Sequence, residues 1–419
     1  MKIGYLMQEG VPDLDVVSGA QLHVQAVITG LQKRGHQVRT FLPRAKRPVW
    51  SDDLNQAQWQ PTQYTFSESP WFRLVERPLR RMQAELRLPY FNLFESLRFS
   101  DAAGQALAHC DLIFERFGFM GFAGALTARR LNIPHILEVN GDVPKEVEVL
   151  GVKMSAAQRA TSLQVVRRTF AAATGIVCVA PMLKQNLVKE MQLDPDKIEV
   201  ILNGADTELF AAPKDQMAIR EKFGIASRPT ITFVGTFQPW HGINLLLDSF
   251  VGVQKKNSNV QMLLVGEGGG RAEAKQRVER EGWDNAVQFL GRLENRAVAD
   301  ILAITDVAVI PFPYLKSDIV GSPLKIFEYM AAGCPIVASW APIHDVIEHA
   351  VTGLRVPPAD ADALAEMLAH VLADADLRAR LGMRARQVAL ERYSWDNTIQ
   401  QLEIFFDRVL TKHLKGRTA

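Results

Sequence analysis

The chain has 419 residues, 47% of them hydrophobic, with 48 Lys and Arg against 46 Asp and Glu. That length exceeds a single ordinary core and suits a globular protein of two or more domains. The near-balance of charge offers no basic field for nucleic acid, and no run approaches the ~20 apolar residues that span a bilayer.

Short apolar runs alternate with amphipathic helical segments, which predicts an α/β fold with parallel sheets. Strands are expected at 3–7, 38–42, 112–115, 136–139, 176–179 and 199–202. The segment 19–34 has apolar residues at 22, 24, 27, 28 and 31 and predicts a helix stopped by Gly35. The first residues, Met1 to Met7, are broken by Gln8 and Glu9 too soon for a signal peptide, so the cytoplasm is the expected location. Cys110, Cys178 and Cys334 lie far apart in apolar surroundings and are expected as free thiols.

Between 70 and 99 stand six arginines against three glutamates, interleaved with Trp71, Phe72, Leu74, Leu79, Met82, Leu86, Tyr90, Phe91, Phe94 and Phe99. Two readings stand. The segment is a pair of helices covering the first domain with solvated arginines, or it is a peripheral contact with the membrane's inner face.

Turn residues at Asn203-Gly204-Ala205-Asp206 place a hinge there. A second strand series follows at 230–234, 261–265, 287–290, 307–311 and 336–338. The expected domains are 1–203, 204–393 and a terminal amphipathic helix from 394, with a Ser394 cap and apolar residues at 399, 402, 405, 406, 409 and 410.

The stretch Gly321-Ser322-Pro323-Leu324-Lys325-Ile326-Phe327-Glu328-Tyr329-Met330-Ala331-Ala332-Gly333-Cys334-Pro335 reads as a loop, a short helix capped by Ser322 with Pro323 in its first turn, and a glycine stop. A helix N-terminus favours an anion such as phosphate. Lys325 beside that site and Glu328 one turn on can hold a diphosphate and a ribose. They can equally form a solvated i, i+3 ion pair. Gly235, after the first strand of the second series, lets the backbone approach a ligand. The run Gly266-Glu267-Gly268-Gly269-Gly270-Arg271 fails the dinucleotide fingerprint because Arg271 holds the last glycine position.

The 321–339 stretch resembles the donor-binding helix of glycosyltransferase family 4, the retaining GT-B enzymes, in the subgroup with "SPLKxFEYMAxGxPVVAS". The resemblance implies two Rossmann-like domains whose parallel sheets face a central cleft, and a C-terminal helix crossing back to the first domain. It implies a transferase moving a sugar from a nucleotide-diphosphate sugar to a hydroxyl of a glycan or lipid-linked glycan, in bacterial polysaccharide or envelope synthesis. No cofactor is expected beyond the donor, and no metal, because no His/Cys cluster has zinc spacing.

The implied donor side comprises Gly235, Thr236, His241, Gly266, Gly268, Arg292, Leu293, Gly321, Ser322, Pro323, Leu324, Lys325 and Glu328. Lys325 would stabilise the leaving diphosphate. The family's usual arginine and lysine clamp is replaced here by Thr236 and His241, and the first of its two glutamates by Val320. His241 would donate one hydrogen bond or carry charge. On the acceptor side stand Gly19, Glu138 and Asn140, the last in place of a common histidine. Glu115 and Arg116 either bind acceptor charge or pair internally. His23 is read as helix packing. Of the Asp-x-Asp triplets, those at 194/196, 360/362 and 374/376 sit in caps and turns; 13/15 lies in the loop after the first strand. Two other functions fit the same residues: a nucleotide-sugar epimerase, and a silent relative that binds nucleotide or a partner.

Overall fold

A computed structural model describes residues 1–8, 14, 16, 18–44, 47–54, 58–85, 93–141, 155–212, 214–313, 322–339 and 346–418. The first sheet has eight strands: β1 (Lys2–Leu6), β2 (Gln37–Arg44), β3 (Arg47–Ser51), β4 (Gln60–Pro61), β5 (Leu112–Arg116), β6 (His135–Val139), β7 (Gly175–Cys178) and β8 (Ile198–Val200). Their order is β4-β3-β2-β1-β5-β6-β7-β8, with β3 and β4 antiparallel and the rest parallel. The second holds β9 (Thr230–Val234), β10 (Gln261–Val265), β11 (Val287–Gly291), β12 (Val307–Ile310), β13 (Ile336–Ser339) and β14 (Leu354–Val356). Its order, β11-β10-β9-β12-β13-β14, reverses between β9 and β12. Ligands of open α/β sheets bind outside the strand ends at such a reversal.

The inner strands are buried on both faces, which is why they read as unbroken apolar runs: Ile3, Tyr5 and Leu6 in β1, and all of Val307–Ile310 in β12, are fully covered. Sequence reading misses β3, β4 and β14. Pro48 and Pro61 are residues that inner strands exclude and edge strands tolerate, and β14 has only three residues.

The Gly19–Lys33 helix is capped by Ser18, whose hydroxyl accepts from the Gln21 amide. Among the described residues, the last helix, Trp395–Thr418, starts behind Ser394, whose Oγ accepts from Asn397 N at 3.2 Å. Its Ile399, Leu402, Phe405, Phe406 and Val409 complete the apolar core of the first sheet with Ile3, Val27, Ile28 and Phe114. Glycines make room for it. A Cβ on Gly30 would fall 2.6 Å from Ile399, and one on Gly175 2.8 Å from Phe405.

The chain passes between the lobes twice, side by side. Ala205 N donates to Tyr393 O at 2.8 Å, and Trp395 N donates to Ala205 O at 3.2 Å. Gly204 lies against the Ser394 backbone, where a Cβ would come within 2.6 Å.

Cys178 and Cys334 are buried and Cys110 is half-buried; all three are free thiols. Three of the Asp-x-Asp triplets cap helices: Asp194 accepts from Asp196 N, Asp360 from Ala363 N and Asp374 from Leu377 N. Asp13, Asp15, Val320 and Gly321 lie outside the described residues.

Candidate active site

The helix expected at 323 begins one residue later, at Leu324, and runs to Ala331. Pro323 is its N-cap, with extended backbone, and no side chain caps it. The expected Ser322 cap is therefore corrected: Ser322 lies before the cap, and its carbonyl accepts from Asn203 Nδ2 at 2.8 Å. That bond ties the loop to the interlobe crossing. Tyr329 anchors the helix from below, its hydroxyl accepting from Val234 N at 2.7 Å at the end of β9.

A solvated Lys325–Glu328 ion pair is excluded, because the two residues are only 7% and 8% exposed. Lys325 Nζ lies 4.4 Å from the Phe233 ring centre and has no hydrogen-bond partner among the described residues. Gly235 sits over it, and a Cβ there would stand 2.5 Å from Nζ. Burial pulls the ammonium down to about 7 against the upward pull of Glu328. Burial likewise pushes Glu328 up to about 7 against the downward pull of Lys325. A buried ammonium facing a ring and a glycine, with no oxygen to meet, is a costly arrangement that an arriving anion would relieve.

Three glycine turns close the floor beside it. Gly235 has φ 153°, Gly266 φ 130° and Gly268 φ 152°, all hard for residues with a Cβ. Gly266 packs on Gly235, where a Cβ would meet the carbonyl oxygen at 1.9 Å, and Gly266 N donates to Gly291 O at 2.7 Å. The segments after β9, β10 and β11 thus meet at one spot. Arg292 follows Gly291 and is exposed, and Leu293 is half-buried.

His241 departs from its expected role. Its Nδ1 lies 2.6 Å from the Thr236 carbonyl and 3.0 Å from Thr236 Oγ1. Burial, reinforced by the Lys325 charge, pushes it down to about 3. The ring is neutral, and the tautomer that donates from Nδ1 to the carbonyl leaves Nε2 an acceptor. It neither carries charge nor donates a second bond.

The facing wall belongs to the first lobe. An ideal Cβ on Gly19 would lie 4.0 Å from Leu324, so two helix N-termini confront each other across the cleft. The space opens into a cavity of about 610 Å³ whose walls include Gln25, Ala205, Asn295, Leu324, Glu328 and Trp395.

Glu138, expected to face an acceptor, is 2% exposed and engaged inside its own domain. It accepts from Tyr5 OH at 3.0 Å, and its other oxygen is 2.8 Å from His23 Nε2. Arg116 stands 3.7 Å away. Burial pulls this carboxyl up, but His23, Arg116 and Tyr5 prevail and hold it at about 2. His23 is thus a buried partner for Glu138, and its ring also meets Trp395 edge-on at 5.6 Å. Glu115 pairs with His135 at 2.7 Å, the internal pairing of the two readings. Asn140, just past β6, keeps a buried Nδ2 with no hydrogen-bond partner among the described residues. Tyr329, Asn203 and Phe233 escape sequence reading because their roles depend on contacts 95 or more residues away, or on a ring face.

Comparison with known proteins agrees with this architecture. Residues 17–209 match the family model for Glycosyltransferase Family 4, and 215–388 match that for Glycosyl transferases group 1. The chain is a glycosyltransferase of this GT-B, group 1 and family 4 type. An uncharacterized glycosyltransferase of Methanocaldococcus jannaschii is 22% identical over 408 residues, 96% of each chain. A phosphatidyl-myo-inositol mannosyltransferase of Mycobacterium leprae is 32% identical over 232 residues, 54% of this chain and 58% of that relative. In fold, HepE of Anabaena, solved with UDP-glucose, superposes with TM-score 0.68 at 20% identity, covering 97% of this chain and 100% of that one. Sucrose-phosphate synthase of Thermosynechococcus elongatus does so with TM-score 0.69 at 19% identity, over 98% and 100%.

Proposed function

We propose that the chain is a retaining, metal-independent hexosyltransferase. It moves a sugar from a nucleotide-diphosphate sugar to a hydroxyl of a glycan or lipid-linked glycan, in bacterial polysaccharide or envelope synthesis. It works in the cytoplasm. The observation that carries the reading is the buried Lys325 ammonium, without a hydrogen-bond partner among the described residues, at the mouth of a helix under Gly235.

In this reading the diphosphate meets Lys325 and backbone amides at the start of the Leu324–Ala331 helix. Glu328, when ionised, accepts from the two ribose hydroxyls. The bond between the anomeric carbon and the phosphate oxygen breaks while the acceptor oxygen bonds to the same face. The departing phosphate oxygen takes the acceptor proton, so no protein base is needed. Lys325 and the helix dipole stabilise the negative charge that develops on the leaving group. Asn140 orients an acceptor or sugar hydroxyl through its Nδ2, and Gly19 lets the first helix close over the donor. The Mycobacterium leprae relative, a phosphatidyl-myo-inositol mannosyltransferase by name, supports a lipid-linked acceptor.

The test is a screen of UDP-, GDP- and ADP-sugars by thermal stabilisation and slow nucleoside diphosphate release. One donor class should raise the melting temperature and turn over, and Glu328→Gln should weaken its binding roughly tenfold or more. Unchanged donor affinity in Glu328→Gln would remove the ribose role. No release from any donor would leave a binding protein. An inverted anomer in the product would remove retention.

A further inference from the structure

The Pro70–Glu85 helix has one face fixed and one face bare. Phe72 meets Phe94 edge-on at 5.8 Å, and Glu76, 7% exposed, bonds Arg80 and Arg98. Arg80 also bonds Glu95. These contacts fasten the helix to its neighbour, Leu93–Ala106.

At about 100° per residue the other positions fall into two stripes. Arg73, Arg77 and Arg81 make one. Trp71, Leu74, Val75, Leu79 and Met82 make the next, and they lie in solvent: Trp71 is 77% exposed, Leu74 64% and Val75 53%. Seven of the twelve exposed large hydrophobics among the described residues fall between Phe66 and Leu93, so the patch is local. Arg81 pairs with Glu85 at the surface, while no carboxylate among the described residues pairs with Arg73 or Arg77.

The order around the helix is protein, arginine, then apolar residues. A helix lying in a lipid interface presents that order, with guanidiniums at headgroup level beside the sinking apolar face. Two unpaired arginines select anionic headgroups. The place fits an acceptor arriving from a membrane. Ser96, on the neighbouring helix, accepts from Gln8 Nε2 at 2.8 Å just past β1, and Gln8 Oε1 accepts from Ala123 N at 2.9 Å. The helix pair is therefore fixed to the carboxyl end of the first sheet, the end that borders the cleft.

We propose that the Pro70–Glu85 helix lies flat on an anionic lipid surface, with Trp71, Leu74, Val75, Leu79 and Met82 entering the acyl boundary and Arg73 and Arg77 on headgroup phosphates. The consequence for the acceptor, that it is presented from that surface, rests on the transferase reading above; the lipid contact does not.

The experiment is flotation of the full chain with phosphatidylcholine vesicles, with and without phosphatidylglycerol. Wild type should float with the mixed vesicles and far less with neutral ones. Trp71→Ser/Leu74→Ser/Val75→Ser, at exposed positions, should lose binding to both while keeping its melting temperature and its donor hydrolysis. Arg73→Gln/Arg77→Gln should lose the preference for anionic lipid, roughly fivefold for each arginine. Wild type failing to float, or the triple variant floating undiminished, would overturn the proposal. So would a wild-type dimer that becomes monomeric in the triple variant, because the stripe would then belong to a second copy. Lys325→Ala should float normally. Flotation without turnover of any donor would leave the lipid contact standing and remove the transferase reading alone.

Discussion

Glu138 in the first lobe and Lys325 in the second are both buried ionisable groups beside the carboxyl ends of parallel strands, and they differ in company. Glu138 has Tyr5, His23 and Arg116 around it, and its carboxyl is held at about 2. Lys325 has an aromatic ring, a glycine and, among the described residues, no hydrogen-bond acceptor, and its ammonium is pulled down to about 7. A satisfied buried charge fastens elements together. An unsatisfied one lowers stability until something binds. The contrast separates a charge that fastens the fold from one that the proposed donor site would use.

The largest expected effect is on the satisfied side. Removing one member of a buried, hydrogen-bonded charge group strands the others, so Glu138→Ala should destabilise the chain by about 3–5 kcal/mol in urea unfolding. Donor affinity should survive at temperatures where the variant is folded. The pH dependence follows from the carboxyl's low folded value. Its contribution is complete above the ordinary carboxylate range and is lost as pH falls toward about 2. Glu138→Gln should therefore flatten the acid limb of the stability profile. An unchanged acid limb would mean that the network does not hold the lobe.

Lys325→Met should move stability and binding in opposite directions. Donor affinity should fall roughly tenfold to a hundredfold, as for a lost charge-assisted hydrogen bond. Unfolding stability should rise modestly, because an unpartnered buried ammonium gives way to an apolar side chain while Glu328, pushed up to about 7, can take up a proton. Inorganic pyrophosphate, which has no ribose for Glu328, should bind wild type less well as pH rises past about 7 and Lys325 loses its proton. A variant that loses stability would put Lys325 among the architectural charges.

The smallest effect belongs to His241. A neutral ring already donating to the Thr236 carbonyl offers a donor sugar at most an acceptor nitrogen. His241→Gln should change donor affinity by about 1 kcal/mol or less, equally at pH 5 and pH 8. A change that grows at acid pH would show a charged imidazole at the diphosphate.

The inner strands and the Gly19–Lys33 helix were legible because buried parallel strands and amphipathic helices leave local, periodic marks. The helix and its glycine stop within 321–339 were legible for the same reason, being near neighbours in sequence, while the cap fell on Pro323 and not on the expected Ser322. What stayed hidden needed distance. Nothing local tells that Lys325 lies under Gly235, 90 residues earlier, or that Glu138 is met by His23 and Tyr5. Without those contacts Glu138 reads as an acceptor carboxylate, and the Lys325 and Glu328 spacing allows a surface ion pair. The edge strands were missed because their prolines and brevity erase the apolar signal.

The helix at 395–418 has a bearing on synthesis. It supplies five buried side chains to a core whose other members lie mostly before residue 202. A ribosome that has made both sheets still holds a first lobe with that face wet, and the lobe closes only when the last helix emerges. Truncations at residue 394 should therefore injure the amino-terminal half of the molecule more than the half they adjoin.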